Sequence, residues 1–250
     1  LFLPKSAAGV REGTCPHPNV DGLRVVGVHD SEMTREVVPV CPWDHQEGLV
    51  VARAVEENMD RMAMALTGEK QIRDAWKAIL LKPPGKAWSE VVVAIKTNNI
   101  ARQHTRSAVM AKMCRVLVEE MSVKAHQIRI YDGKHGADLT EKTPFSGLPE
   151  GCRIVGQWGG IKSPVPIPSP WRGGNDKADC LTNLATGEVD ILINIALCKG
   201  HKDTFGGFTM SMKNHLGTFN PNWAHVFGAT DYLFSINKTP QVLGDLSTES

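Results

Sequence analysis

The chain has 250 residues, 42% of them hydrophobic and 22% charged, which excludes a disordered polymer and suffices for one sizeable core. Its net charge of +1 excludes the broad basic surface that nucleic-acid binding needs, so functional positive charge has to be local. No apolar run approaches the roughly 20 residues of a membrane-spanning helix, so no membrane span is expected.

In chain order, "LRVVGVHD" (23–30) reads as a first strand, rich in β-branched residues and ending in polar ones. From Glu47 to Leu66, the residues Val51, Val55, Met59, Met62 and Leu66 recur at helical spacing, and Gly68 ends that amphipathic helix. A second helix, 70–81, stops at "KPPG", where two prolines forbid continuation. The strand "EVVVAIKTNN" follows, then a helix with the stripe Met110, Met113, Cys114, Leu117, Val118 and Met121, then a strand ending "IRIYDGKHG". Strand, helix and strand at this distance predict a parallel βαβ unit.

Two more short strands are expected in "CRIVGQWGG" (152–160) and "VDILINIAL" (189–197). Between them, residues 161–177 form a proline- and glycine-rich stretch that reads as a long loop. "GFTMSMKNHLG" and "NWAHVFGATDYLFSI" read as helices, the first ended by Gly217 and the second preceded by Pro221. The predicted fold is a single α/β domain over 1–250, a three-layer sandwich with a mostly parallel central sheet and helices on both faces.

Cysteines stand at 15, 41, 114, 152, 180 and 198, with no C-x-x-C among them. They are too sparse for a disulfide scaffold and lack iron–sulfur spacing. Cys114 reads as a core residue, while a disulfide between Cys15 and Cys41 is left open, as is the compartment. The chain begins "LFLPKSAAGV", without Met and without a visible signal peptide, as a processed form would.

In parallel sheets, ligands bind beyond the carboxyl ends of the strands. Lys96, Asn98 and Asn99 follow one expected strand, and Asp132, Lys134 and His135 follow the next. Trp158, Gly159 and Gly160 follow a third, and Lys199 and His201 a fourth. Loop lysines commonly just face water, and for Lys134 and His135 that reading and a place in the site both stay open. Lys96 and Lys199 differ, because each leaves a buried run and a partly buried ammonium needs a counter-charge. No acidic residue lies within three positions of Lys96, so a bound anion is one way to supply it. Gly206 and Gly207, at the start of the next expected helix, would open its N-terminus to such a ligand, with Thr209 and Lys213 sharing a helical face.

The segments "VVVAIKTN", "VDILINIALCKGH", "GGFTMSMKNHLG" and "NPNWAH" resemble, in this order, the motifs of the domain-of-unknown-function family numbered 362. The resemblance runs from about Leu23 to Leu246. It implies an α/β fold, brings no established reaction, and marks Lys96, Asn98, Asn194, Lys199, His201, Lys213, Asn214 and His225 as the recurrent polar positions. Some relatives carry appended ferredoxin-like cysteine motifs, absent here, which argues against a built-in iron–sulfur role. Relatives with the "NHLGT" and "NPNWAH" style carry twin-arginine export signals, which implies a periplasmic or otherwise exported protein, a cytoplasmic one being the alternative. The chain stops at Ser250, earlier than the resemblance leads one to expect, so part of the site is expected to be missing.

The leading expectation is a site for a small carboxylate- or phosphate-bearing ligand. Lys96, Lys199 and Lys213 would hold the anion, and Asn98 and Asn214 would orient it. His201 would serve as general acid or base if turnover occurs, with Asp132 holding it or binding a metal. One rival is a metal site, either Cys15, His17, Cys41 and His45 or His201, His215 and His225. Another is an accessory subunit of a larger redox complex, docking through Trp43, Trp158, Trp171 and Trp223 and the "PVPIPSPW" stretch. No G-x-G-x-x-G, G-x-x-x-x-G-K-[ST] or G-x-S-x-G occurs, which sets aside dinucleotide, nucleoside-triphosphate and serine-hydrolase chemistry.

Overall fold

The run from Val91 to Ile95 is apolar on both sides of the pleat, and a strand of that kind belongs in the middle of a sheet. In the computed structural model it does. Residues described are 24–37, 43–99, 104–133, 139–140, 145–155, 162–168, 175–181, 188–200, 208–215, 217–218 and 237. Strand β1 (Val93–Lys96) pairs in parallel with β2 (Ile128–Tyr131) on one side and with β6 (Ile191–Asn194) on the other. A short β3 (Arg153–Ile154) continues the sheet beyond β2, giving the order β3–β2–β1–β6. The α/β class and the parallel central sheet are as the sequence predicts, and so is the crossover from β1 to β2 through a helix.

Alternation along the strands sorts the residues onto two faces. Val93, Ile95, Ile128, Ile130, Ile191 and Ile193 share one face and pack into the main hydrophobic core. Helices α2 (Ala52–Thr67), α3 (Ile72–Ile79) and α4 (Ser107–Arg115) complete that core. The predicted stripes do the packing: Val55 and Met59 from α2, Trp76 from α3, Met110, Met113 and Cys114 from α4. Lys96, Tyr131 and Asn194 fall side by side on the opposite face. The described helical element covering them is a single turn, α5 (Ser211–Asn214).

Several expected elements differ. The single helix predicted from Glu47 is two, α1 (Trp43–Leu49) and α2, because Val50 and Val51 are drawn out of helical geometry. Arg35 N–H donates to Leu49 O at 2.9 Å and Val51 N–H to Met33 O at 3.0 Å, so a neighbouring extended segment overrides the local periodicity. Gly68 ends α2 as predicted, in the left-handed region at φ 81°. The first expected strand is not formed over 24–30, where Val25 is 90% exposed. Asp30 instead caps a short turn at Ser31–Met33, accepting from Glu32 N–H at 2.9 Å. Beyond Arg115, α4 continues as a wider π-type turn over Val116–Glu120, so the predicted stripe reaches Met121.

The stretch predicted as a loop over 161–177 contains β4 (Lys162–Pro168) and the start of β5 (Asn175–Leu181), the two arms of an antiparallel ribbon. Pro164, Pro166 and Pro168 stand at alternate positions. Their missing N–H groups therefore fall on one edge, and Ser163, Val165 and Ile167 are left to pair with Cys180, Ala178 and Asp176. Among the described residues, no helix is long and apolar enough to cross a membrane.

Candidate functional site

The sheet changes direction between β1 and β6: the chain moves outward from β1 through β2 to β3, then returns to the other side of β1. Such a reversal opens a crevice at the strand carboxyl ends. Lys96, Thr97, Asn98 and Asn99 leave β1 at this crevice, Asp132 leaves β2, and Asn194 closes β6. Of the expected convergence, the part formed by Lys96, Asn98, Asn99 and Asp132 lies within the described residues and is present.

Lys96 does not play the expected part. Its side chain is 1% exposed, and its Nζ donates to Asp132 Oδ1 at 2.7 Å, to Thr97 O at 2.7 Å and to Asn214 Oδ1 at 3.5 Å. Three partners use all three ammonium hydrogens. The Tyr131 ring lies 5.9 Å from the same nitrogen. Burial lowers the Lys96 pKa, and the Asp132 carboxylate pulls it back up. The counter-charge that seemed missing near Lys96 in the chain comes from the end of the neighbouring strand. Lys96 is thus a buried, internally neutralised support and no anion clamp.

Asp132 is engaged at both oxygens, accepting also from Gly133 N–H at Oδ1 and Asn99 N–H at Oδ2, each at 2.6 Å. Its position follows from register, since Tyr131 lies opposite Lys96 and the next residue turns back over the lysine.

A chain of amides extends from this pair. Asn214 Nδ2 donates to Asn194 Oδ1 at 2.6 Å and to Lys96 O at 3.3 Å. Asn194 Nδ2 in turn donates to Ser211 O and to His215 Nε2, both at 2.9 Å. Thr218 Oγ1 lies 2.8 Å from the Tyr131 hydroxyl and 3.5 Å from His215 Nδ1. Burial, reinforced by the Lys96 charge, pushes the His215 pKa down to about 3. A neutral ring with its proton on Nδ1 fits this pattern, because Nε2 must accept from Asn194. Asn194 and Asn214, expected as ligand contacts, are committed to holding α5 against the sheet. The sequence assigns no role to Thr97, Tyr131 and Thr218, and to His215 only a place in the rival metal site with His201 and His225. Aligning the strand ends "IKTNN", "IYD" and "ILIN" side by side is the signal that brings Tyr131 and Asp132 to Lys96.

Gly217 completes the seat. It adopts φ +105°, and a Cβ built there would lie 2.7 Å from Gly133 N and 2.8 Å from Gly133 Cα. Gly217→Ala therefore combines a disfavoured backbone with a backbone clash, each costing on the order of 1–3 kcal/mol. We expect its urea midpoint to fall well below that of the unaltered chain, whereas Gly68→Ala, with open space around it, should lose less.

Lys199 is different from Lys96. It belongs to a short strand, β7 (Lys199–Gly200), paired antiparallel with β8 (Phe208–Thr209). It is half-buried, and its Nζ donates to Asn98 Oδ1 at 2.9 Å. A neutral amide orients the ammonium without cancelling its charge. Burial lowers the Lys199 pKa; the Asp132 charge opposes that and the Lys96 charge adds to it. Lys213, on α5, is lowered by burial and then by the Lys199 charge. The structure therefore brings Lys96, Asn98, Asn194, Lys199, Lys213 and Asn214 to one sheet edge.

The expected helix start at Gly206 and Gly207 is corrected: β8 intervenes and α5 begins at Ser211, so Thr209 shares no helical face with Lys213. Gly206, Gly207 and His201 themselves lie outside the described residues, as do His225, Lys134, His135, Trp158, Cys15, His17 and Cys41. Among the described residues, no three His, Cys, Asp or Glu side chains come together as a metal site would require.

No curated protein and no solved structure matches the chain. A family model does: residues 93–242, from the first residue of β1 onward, match the family described as "Domain of unknown function (DUF362)". That span holds β1, the crevice and every lysine of the site, and the chain belongs to this family.

Proposed function

We propose that the crevice between β1 and β6 binds a small anion, a carboxylate or a phosphate, through Lys199 with Lys213 and Asn98. The observation that carries this reading is the state of Lys199. Its ammonium is half-buried and destabilised by burial and by Lys96, and its hydrogen-bond partner is an uncharged amide. Among the described residues Asn98 is its one hydrogen-bond partner, which leaves two of its three N–H donors for a ligand. An anion there would relieve the desolvation and the repulsion between Lys199 and Lys213 together. Asp132 offsets part of the burial cost at Lys199, while its own hydrogen bonds go to Lys96 and two backbone N–H groups.

If the ligand is chemically changed, His201 is the proposed proton carrier. It follows Lys199 by two residues, and the described alternative, His215, is neutral with Nε2 engaged. The likeness of "NHLGT" and "NPNWAH" to exported relatives supports a periplasmic location.

Phosphate, sulfate and a set of short mono- and dicarboxylates, each screened by thermal unfolding of the whole chain, test the binding. An anion present at 100 times its Kd should add about 2.7 kcal/mol of stability. Lys199→Met should weaken that anion by roughly 10- to 150-fold, the worth of a charge-assisted hydrogen bond of about 1.5–3 kcal/mol. Unchanged affinity in Lys199→Met, or no stabilising anion in the set, would overturn the assignment.

A further inference from the structure

Something has to end the ladder between β1 and β6, because backbone bonds in a parallel pair repeat at every second residue. Ile191 N–H donates to Val92 O at 3.3 Å, and Ile195 N–H donates to Lys96 O at 2.9 Å. The next rung of that pattern would join Asn98 N–H to Ile195 O. A side chain stands there instead. Asn98 N–H donates to Thr105 Oγ1 at 3.4 Å, and that hydroxyl donates to Ile195 O at 3.3 Å. Two bonds thus span what a single one of about 2.9 Å would close. Thr105 N–H also donates to Asn98 O at 3.1 Å, so one residue holds Asn98 by both of its backbone groups.

We propose that Thr105 is a positioning residue of the crevice: its hydroxyl parts β1 from β6, fixes Asn98, and through Asn98 aims the Lys199 ammonium at an incoming anion. The residue is well anchored for this. It is 4% exposed, it directly precedes Arg106 at the cap of α4, and His104 Nδ1 donates to its carbonyl at 2.9 Å. Branching at Cβ restricts χ1 and with it the direction of the hydroxyl. That hydroxyl uses its one donor on Ile195 and accepts from Asn98. Asn98 in turn presents Oδ1 to Lys199 Nζ at 2.9 Å. The last link rests on the role proposed for Lys199, whereas the place of the hydroxyl between the strands does not.

Amide hydrogen exchange in the whole chain, resolved by NMR, tests the hydroxyl without any ligand. Thr105→Val keeps the shape and removes the hydroxyl. Asn98 N–H should then exchange about 2- to 10-fold faster relative to Ile95 N–H, which is what one neutral hydrogen bond carries. Thr105→Ser should restore the original ratio, whereas a general loss of stability would move both amides together. Inorganic phosphate, titrated into the same three proteins, should bind Thr105→Val about 2- to 10-fold more weakly and Thr105→Ser as it binds the unaltered chain. An equal exchange ratio in all three proteins would overturn the proposal, as would phosphate binding all three equally well. If Thr105→Val does not fold, the unaltered chain decides: its Asn98 amide proton should show a nuclear Overhauser contact to the Thr105 β proton, and the absence of that contact overturns the proposal. Phosphate binding to none of the three would tell against phosphate at Lys199 and leave the exchange ratios to judge Thr105.

Discussion

Asp132→Asn is expected to destabilise the protein by about 3–5 kcal/mol, the cost of removing one partner from a buried ion pair. The substitution leaves the Lys96 ammonium, 1% exposed, without its counter-charge. It also turns one acceptor oxygen into a donor group, although Asn99 N–H and Gly133 N–H both need an acceptor there. Urea denaturation at neutral pH measures the loss. Lys96→Met combined with Asp132→Asn should lose less than the sum of the two single changes, because the methionine leaves no charge to strand. A loss below about 1 kcal/mol in Asp132→Asn would place the pair among weak surface interactions and refute its supporting role.

His215 should make the fold acid-sensitive in a defined window. Its folded pKa of about 3 lies below the ordinary value of 6.5, so the folded state refuses a proton that the unfolded chain accepts. The stabilisation is complete above pH 6.5, declines as pH falls, and is gone near pH 3. At 1.36 kcal/mol per pH unit the full window corresponds to about 5 kcal/mol, of which about 2 kcal/mol is lost by pH 5. His215→Gln keeps a hydrogen-bonding group in that place but does not titrate. The difference in unfolding free energy between pH 7 and pH 5 should therefore shrink by about 2 kcal/mol in the variant. An identical pH dependence in both proteins would mean that His215 is charged or accessible in the folded state.

How much could be read beforehand differed by element. β1, β2 and α4 were legible because the pattern is local: a run of apolar residues, then a stripe at helical spacing, then another run. The break at Val50–Val51 was not, since it depends on the backbone of Met33 and Arg35, which periodicity within 47–66 does not report. The ribbon at 162–181 is not legible from proline content, because what permits it is the alternation of Pro164, Pro166 and Pro168. Lys96 shows the same limit at the site. Its partner Asp132 lies 36 positions away, so a search for acids nearby in the chain misses the carboxylate that register delivers. Lys199 differs in that the amide orienting it, Asn98, is neutral and leaves its charge standing.

The spacing of Pro164, Pro166 and Pro168 also shapes how molecules of this protein can meet. Along the outer side of β4, an incoming chain would find carbonyls awaiting donors but no amide hydrogens to offer at three successive places. Among the described residues β5 is the one partner of β4. A strand from another copy pairing along its outer side would lose half of each hydrogen-bond pair at three places, which disfavours lateral growth there.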